Sequence, residues 1–321
     1  MKRLSLFANF SKKESEESKV TQSIDQEKNL SGHTIAIHVI DRGQVAGVND
    51  ALIRLINGEF SGLKVRGGIS TEHLQHAVSQ LQSEAFAPEL RSPNHGLRGG
   101  ELMTLGVAAT PCFTALNGPN EESYLESVAS APRWEKTLFN DFDLTQALSE
   151  LFSELSQGRR SRPAPFLDTK SEEDPKVSDQ LDTWLPFNYR ILPTGQQIYT
   201  HHDHHYRLPI YEHLSSDYDR SLVFSWFIIA QSPNDGGELV MYGLSGDDPQ
   251  VPMLPSRFVD TAVLEASYHK TRVQCEPGDL FIFNSRAHIH RVSPVIGERP
   301  RVTIGGFMTF NLDRTESVFW S

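Results

Sequence analysis

The segment Thr200–His205 contains four histidines and one aspartate in succession, and a further histidine, His290, follows far downstream. His201 and Asp203 are two residues apart, and residues two apart on an extended strand point to the same face of a sheet. An imidazole and a carboxylate can therefore converge on one ion, provided that His290 comes from a neighbouring strand. The pattern predicts a metal centre built between strands, with coordination positions left open for other molecules.

The segments around these residues are typical of short strands separated by turns. Residues 187–192 and 196–199 flank a Pro-Thr-Gly turn, and residues 222–229 form an apolar run of the kind found in buried strands. Another apolar run, residues 279–283, precedes His290. Helical spacing of apolar residues is confined to the N-terminal half. The chain is therefore predicted to be mainly β with flanking helices, an α+β arrangement.

The histidines next to His201 leave alternatives open. His202 and His204 have the opposite strand parity from His201, so they are expected to point away from the ion. His205 shares the parity of His201 and either lines the mouth of the site or belongs to an ordinary polar loop. A surface histidine tract that picks up metal by accident is the competing interpretation of the whole cluster.

The downstream ligand also has a competitor. His288 and His290 share strand parity, so either imidazole could face the ion. His290 is the predicted ligand because it opens the segment His-Arg-Val-Ser-Pro-Val, residues 290–295.

A second chemical group lies beyond the last histidine. Arg299 and Arg301 follow His290 by nine and eleven residues, and Thr303 comes two residues later. On a strand Arg301 and Thr303 share a face, and a guanidinium beside a hydroxyl suits a carboxylate at the bottom of a pocket. Arg299 is the competing candidate, and a surface ion pair of an edge-strand arginine is the alternative reading.

Together these parts resemble the Fe(II)/2-oxoglutarate-dependent oxygenases, whose pattern is His-x-Asp, a distant His, and Arg-x-Ser/Thr about ten residues later. The resemblance implies a double-stranded β-helix core (jelly-roll, cupin-like) with an N-terminal helical and strand extension. It implies Fe(II) held by His201, Asp203 and His290, with dioxygen and 2-oxoglutarate as cosubstrates. Arg301 with Thr303, or else Arg299, would hold 2-oxoglutarate.

A closer likeness is to the carrier-independent indole-alkaloid halogenases. It covers most of residues 35–321 and is specific from about residue 185, notably in residues 236–242 and 277–307 and at the end, Phe319–Ser321. Those halogenases carry Gly where this chain has Asp203, which leaves them a coordination position for chloride. The carboxylate therefore implies a hydroxylase-type member on a halogenase-like scaffold.

The function implied is hydroxylation, or another oxidation, of an unactivated C–H bond in a free small molecule of secondary metabolism, with release of succinate and CO2. An alkaloid, an amino-acid derivative or a peptide natural product would be the substrate. Two alternatives remain open: a halogenase with an unusual site, and a noncatalytic cupin-like metal-binding module.

Charge and composition narrow the partners and the domain organisation. A net charge of −11 argues against nucleic acid or an anionic membrane as partner. Without a transmembrane-length apolar run or a signal peptide, the chain is expected to be cytoplasmic. The predicted domains are a disordered or loosely ordered segment (1–32), a helix-rich part packing on the core (33–180), and the catalytic core (181–321), in which residues 243–260 form a possible lid.

Overall fold

A computed structural model describes residues 30–48, 50–92, 102–108, 121–166, 182–203 and 209–321. These residues form two facing β-sheets, with helices packed on the outer face of the larger sheet. The prediction of a mainly β fold with flanking helices and a double-stranded β-helix core is confirmed. Residues 1–29 of the predicted N-terminal segment, and the two histidines at 204 and 205, lie outside the described residues.

The strands, numbered in chain order, are short except for two that run through the centre of the larger sheet. They are β1 (Ile37–Asp41), β2 (Gly62–Arg66), β3 (Leu90–Arg91), β4 (Met103–Leu105), β5 (Arg160–Pro163), β6 (Asn188–Leu192), β7 (Ile198–His201), β8 (Phe224–Gln231), β9 (Asp235–Gly236), β10 (Leu239–Tyr242), β11 (Lys270–Val273), β12 (Leu280–Phe283), β13 (His290–Val292), β14 (Val295–Ile296), β15 (Arg301–Phe310) and β16 (Glu316–Trp320).

Eight of these strands form the core, and along them the chain passes back and forth between the two sheets, with β10 and β11 as consecutive strands of the smaller sheet. The larger sheet takes them in the order β12-β8-β15-β6, and the smaller sheet in the order β11-β10-β13-β7. All neighbouring pairs among them are antiparallel. As a result β13, which follows β12 in the chain, pairs with β7, which precedes β8.

N-terminal strands extend the larger sheet at both edges. On one side β2 pairs with β12 and β1 pairs with β2, while on the other β4 pairs with β6 and β3 with β4. Strand β16 pairs with β15, and β5 pairs with β16. Strands from both sides of residue 180 therefore share one sheet, and the predicted domain limits themselves stay predictions.

The outer face of the larger sheet is covered by α1 (Ala51–Ile56), α2 (Thr71–Leu81), α3 (Glu121–Phe139) and α4 (Leu144–Leu155). Helix α5 (Thr261–Ser267) instead packs through Leu264 against β10 of the smaller sheet. The α4 stripe, Leu144, Leu148, Leu151, Phe152 and Leu155, is at most 1% exposed, and Asp143 caps α4 by accepting a hydrogen bond from the Gln146 backbone N–H. The Phe152 ring packs edge-on against Trp226 and Phe319 of the sheet.

Strands β9 and β14 pair as a two-stranded ribbon that lies next to Arg301. Gly236 and Gly237 both have φ of 68°, a region that side chains rarely adopt. A Cβ on Gly236 would come 2.0 Å from the Pro294 carbonyl oxygen, and one on Gly237 would come 3.2 Å from Cδ of Arg301. The Gly-Gly pair therefore lets the ribbon lie directly against β15.

Two further expectations concern the segment 243–260 and membranes. Apart from a bridge between Met253 and Val259, that segment contains no strand or helix, and its role as a lid stays a prediction. Within the described ranges, no helix combines the length and the apolar character needed to cross a bilayer.

The packing of α4 yields a stability prediction. Leu148→Ala removes a fully buried side chain, and the resulting cavity should lower the free energy of unfolding by about 2–5 kcal/mol. Urea denaturation measures this loss. Glu150→Ala, on the exposed face of the same helix, should change the free energy by less than about 0.5 kcal/mol, and an equal loss in both variants would contradict the packing described here.

Candidate metal centre and its cavity

The two predicted histidine ligands face each other across adjacent strands. His201 on β7 is the register partner of His290 on β13. Their imidazole rings are 4.3 Å apart between centroids, and the edge of the Phe283 ring packs against His290. The His201 side chain is 29% exposed and that of His290 is 6% exposed, so the pair lies at the mouth of the space between the sheets.

In both imidazoles Nδ1 is hydrogen-bonded to a backbone carbonyl oxygen. Nδ1 of His201 lies 2.6 Å from the Tyr199 carbonyl oxygen, and Nδ1 of His290 lies 2.9 Å from that of His288. A carbonyl oxygen only accepts, so each Nδ1 carries the proton and each Nε2 keeps its lone pair. This is the tautomer that a metal ligand requires, with the orienting bond supplied by the backbone.

Asp203 completes the set from just beyond the end of β7. Its Oδ1 lies 3.8 Å from Nε2 of His201, and its Oδ2 lies 4.0 Å from Nε2 of His290. Ser225 donates to Oδ2 of Asp203 at 2.7 Å and is itself 2.7 Å from the Ser285 hydroxyl. The Asp203 backbone N–H also donates to the Ser285 carbonyl oxygen. The carboxylate is therefore oriented by neighbours on β8 and after β12.

The three side chains fit one metal ion. One ligand atom from each of His201, Asp203 and His290 lies within 4.8 Å of the others, and two imidazole nitrogens with one carboxylate oxygen suit Fe(II) or a similar first-row ion. Within the described ranges no other His, Cys, Asp or Glu cluster meets this condition.

The neighbouring histidines lie elsewhere. Nδ1 of His288 is 3.2 Å from Nε2 of His33, and burial lowers the His288 pKa to about 4. The ring of His202 lies against Gly246, where a Cβ would come 2.2 Å from the imidazole Cγ.

A cavity between the sheets connects this centre with the arginine predicted from sequence. It is lined by the three ligand residues together with Arg301, Thr303 and Phe227. Arg301 is 6% exposed and its guanidinium carbon lies 5.3 Å from the centre of the Phe227 ring. Its Nη1 is 3.5 Å from the Thr303 hydroxyl. Burial lowers the Arg301 pKa to about 10.

The guanidinium of Arg301 has no carboxylate partner among the described residues. A buried cation without a counter-charge is costly, and a carboxylate from a bound molecule would supply the missing partner. Arg299 differs, since it is exposed and donates to the Pro233 carbonyl oxygen. It does not line the cavity that contains the ligand residues.

Three cavity residues were not singled out from the sequence. Asn188 is 1% exposed; its Oδ1 accepts from Nε of Arg190 at 2.9 Å, and its Nδ2 has no partner among the described residues. The signal was present, because Asn188 and Arg190 interrupt the apolar strand β6 at alternate positions. Ser225 likewise interrupts the apolar run of β8.

The comparison with protein families gives one match. The model of a family described as carrier-protein-independent halogenase WelO5 matches residues 37–321. No curated protein matches the sequence.

Solved structures are similar at low identity. An N-substituted L-amino acid dioxygenase from Burkholderia ambifaria AMMD, in complex with alpha-KG, has 15% identity and a TM-score of 0.47, with coverage of 86% of this chain and 91% of that chain. A prolyl hydroxylase from Trichoplax adhaerens has 9% identity and a TM-score of 0.43, with coverage of 85% and 93%. The epimerase SnoN from nogalamycin biosynthesis has 10% identity and a TM-score of 0.42, with coverage of 81% and 83%. Scores this low carry no argument about what this chain binds.

The geometry predicts where a metal will bind. In crystals grown with Mn(II), Nε2 of His201, Nε2 of His290 and a carboxylate oxygen of Asp203 should each lie about 2.0–2.3 Å from one ion. Mn(II) titration should show that His201→Ala and Asp203→Ala bind far more weakly than the wild type, whereas His202→Ala binds normally. An ion on His288 or His202 would contradict the assignment.

Proposed function

Because the chain belongs to the family of carrier-protein-independent halogenases represented by WelO5, within the Fe(II)/2-oxoglutarate oxygenase superfamily, we propose that it oxidises an unactivated C–H bond of a free small molecule. Hydroxylation is the expected outcome. The substrate would be an alkaloid, an amino-acid derivative or a peptide natural product of secondary metabolism, and neither nucleic acid nor a membrane is a partner.

The proposal rests on one cavity that contains both the metal-ligand residues and the residues that would bind a carboxylate. At one end are His201, Asp203 and His290 with their ligand atoms within 4.8 Å of one another. Arg301 and Thr303 line the same cavity, and the guanidinium lacks a carboxylate among the described residues. A 2-oxo diacid has the two functions that such a cavity can bind, a chelating end and a distal carboxylate.

When bound, Fe(II) and 2-oxoglutarate supply the oxidising chemistry, in which dioxygen is consumed and the 2-oxo acid becomes succinate and CO2. The protein holds and orients the reactants. Thr303 lies beside Arg301 at the distal carboxylate, and both imidazoles are fixed by backbone carbonyls. Phe227 and Phe283 contribute apolar surface to the cavity wall, which would help to exclude water from the reacting carbon.

Asp203 is the residue on which the choice of reaction depends. With a metal bound, a carboxylate at this position would occupy a coordination site, and its negative charge would oppose a halide ion. The hydroxyl of Ser225 holds that carboxylate in place. Both effects favour transfer of oxygen over transfer of chloride.

Halogenation is the second candidate, and the match to a halogenase family favours it. For this reaction a chloride ion would have to enter the coordination sphere despite Asp203. The noncatalytic alternative, a cupin-like metal-binding module, is disfavoured by the buried guanidinium of Arg301, because a module that binds no acid has no use for it.

The assignment of Arg301 to the distal carboxylate of 2-oxoglutarate, which we call the carboxylate clamp, can be tested by binding measurements without turnover. In Mn(II)-loaded protein, Arg301→Ala should weaken 2-oxoglutarate binding by roughly 30-fold or more, because loss of one partner of a buried charged pair costs on the order of 2–5 kcal/mol. Metal affinity should change little. Arg299→Ala is the matched control and should leave 2-oxoglutarate affinity nearly unchanged, since this side chain is exposed. If Arg299→Ala has the larger effect, the clamp is misplaced.

The reaction outcome can be read from products. Wild-type protein incubated with Fe(II), 2-oxoglutarate, dioxygen and a small molecule that it turns over should give an oxygenated product, detected by mass spectrometry, even at high chloride concentration. Asp203→Gly removes the carboxylate and its charge, and at most weak chlorination is expected, because the groups around the metal also position the substrate. A chlorinated product from the wild type would establish the halogenase alternative instead.

A further inference from the structure

A second cavity, of about 400 Å³, adjoins Arg301. Arg301, Phe227 and Leu239 line both this cavity and the one that contains the metal-ligand residues. None of His201, Asp203 and His290 lines the second cavity. These three shared side chains therefore form a wall between the two spaces, and we call the second space the rear cavity.

The guanidinium end of Arg301 is weakly held in this wall. Its hydrogen bond to the Thr303 hydroxyl is 3.5 Å long, beyond the usual range for a strong bond. The stem is better fixed, since Gly237 lies against its Cδ. The terminal torsions of Arg301 can therefore change while its stem stays in place.

The rear cavity suits a displaced cation. Asp235, Glu238 and Glu276 line it, with Arg299 as the only other charged residue besides Arg301 among its described lining residues. Glu238 also pairs with Arg272 at 3.7 Å, so these three carboxylates are opposed by two guanidiniums other than Arg301, and a net charge of −1 remains. A guanidinium that moved into this space would lie closer to opposite charges, which offsets the loss of its contact with Thr303.

We propose that Arg301 can retreat into the rear cavity and that the site thereby accepts a 2-oxo diacid one methylene longer than 2-oxoglutarate, namely 2-oxoadipate. The inference rests on the proposed function, because it assigns a distal carboxylate to Arg301. Space is sufficient: a water molecule in the liquid takes about 30 Å³, so the rear cavity can hold the guanidinium together with solvent.

The experiment compares the two acids by calorimetric titration of Mn(II)-loaded protein, without turnover. Wild-type protein should bind 2-oxoadipate within about tenfold of 2-oxoglutarate. Ser232→Leu fills the rear cavity and removes a buried hydroxyl that has no partner among the described residues. Val273→Phe fills it from β11. Each should weaken 2-oxoadipate binding by about tenfold or more, and 2-oxoglutarate binding by less than about threefold.

Ser216→Leu is the matched control, because it makes the same change at an exposed position that lines neither cavity. It should leave the affinities for both acids unchanged. A crystal structure with Mn(II) and 2-oxoadipate should place the guanidinium in the rear cavity.

The inference is overturned if wild-type protein binds 2-oxoglutarate but not 2-oxoadipate, or if the filled variants lose both acids equally or neither. Failure of the wild type to bind 2-oxoglutarate at all would instead overturn the proposed function, and the inference with it.

Discussion

The pairing of β7 with β13 places His201 directly opposite His290, and the other parts of the site are arranged around that contact. Strand β13 is reached only after the chain has crossed four times between the sheets, so the contact depends on the whole double-stranded β-helix. Asp203 lies two residues after His201 in the same segment, so its carboxylate can reach the same ion without a further strand or helix. On the facing sheet, β15 extends from Arg301 past the metal end of the cavity, which fixes the distance between clamp and metal.

Strand parity made the ligand residues predictable. His201 and Asp203 share a face at a spacing of two, and the same rule joins Arg301 to Thr303. The sequence did not distinguish Arg301 from Arg299, because both follow His290 at odd spacings. Burial distinguishes them in the structure, where Arg301 lies against Gly237 beside the paired strands β9 and β14, and this pairing was not predicted. Recruitment of β1–β5 into the larger sheet was also missed, since edge pairing leaves little trace in a single sequence.

The resemblance to halogenases and the carboxylate of Asp203 point to different reactions on one scaffold. In this chain Asp203 does not stand alone, because its Oδ2 accepts from Ser225 and its backbone N–H donates to Ser285. The first bond holds the carboxylate in one orientation, and the second fixes the backbone from which it projects. Replacement of Asp203 by glycine would therefore remove the carboxylate that accepts from Ser225 and leave this hydroxyl with Ser285, 2.7 Å away, as its neighbour.

Each imidazole at the centre is aligned by a carbonyl only two residues earlier on its own chain segment, Tyr199 for His201 and His288 for His290. Alignment of the ligands is therefore encoded within two tripeptides and does not require side chains from the cavity wall. A lineage could replace most of the residues that contact a substrate while these tripeptides keep the nitrogen lone pairs aimed at the ion. Because the residues that align the ligands are separate from those that contact a substrate, substrate specificity can change on this scaffold without loss of the metal site.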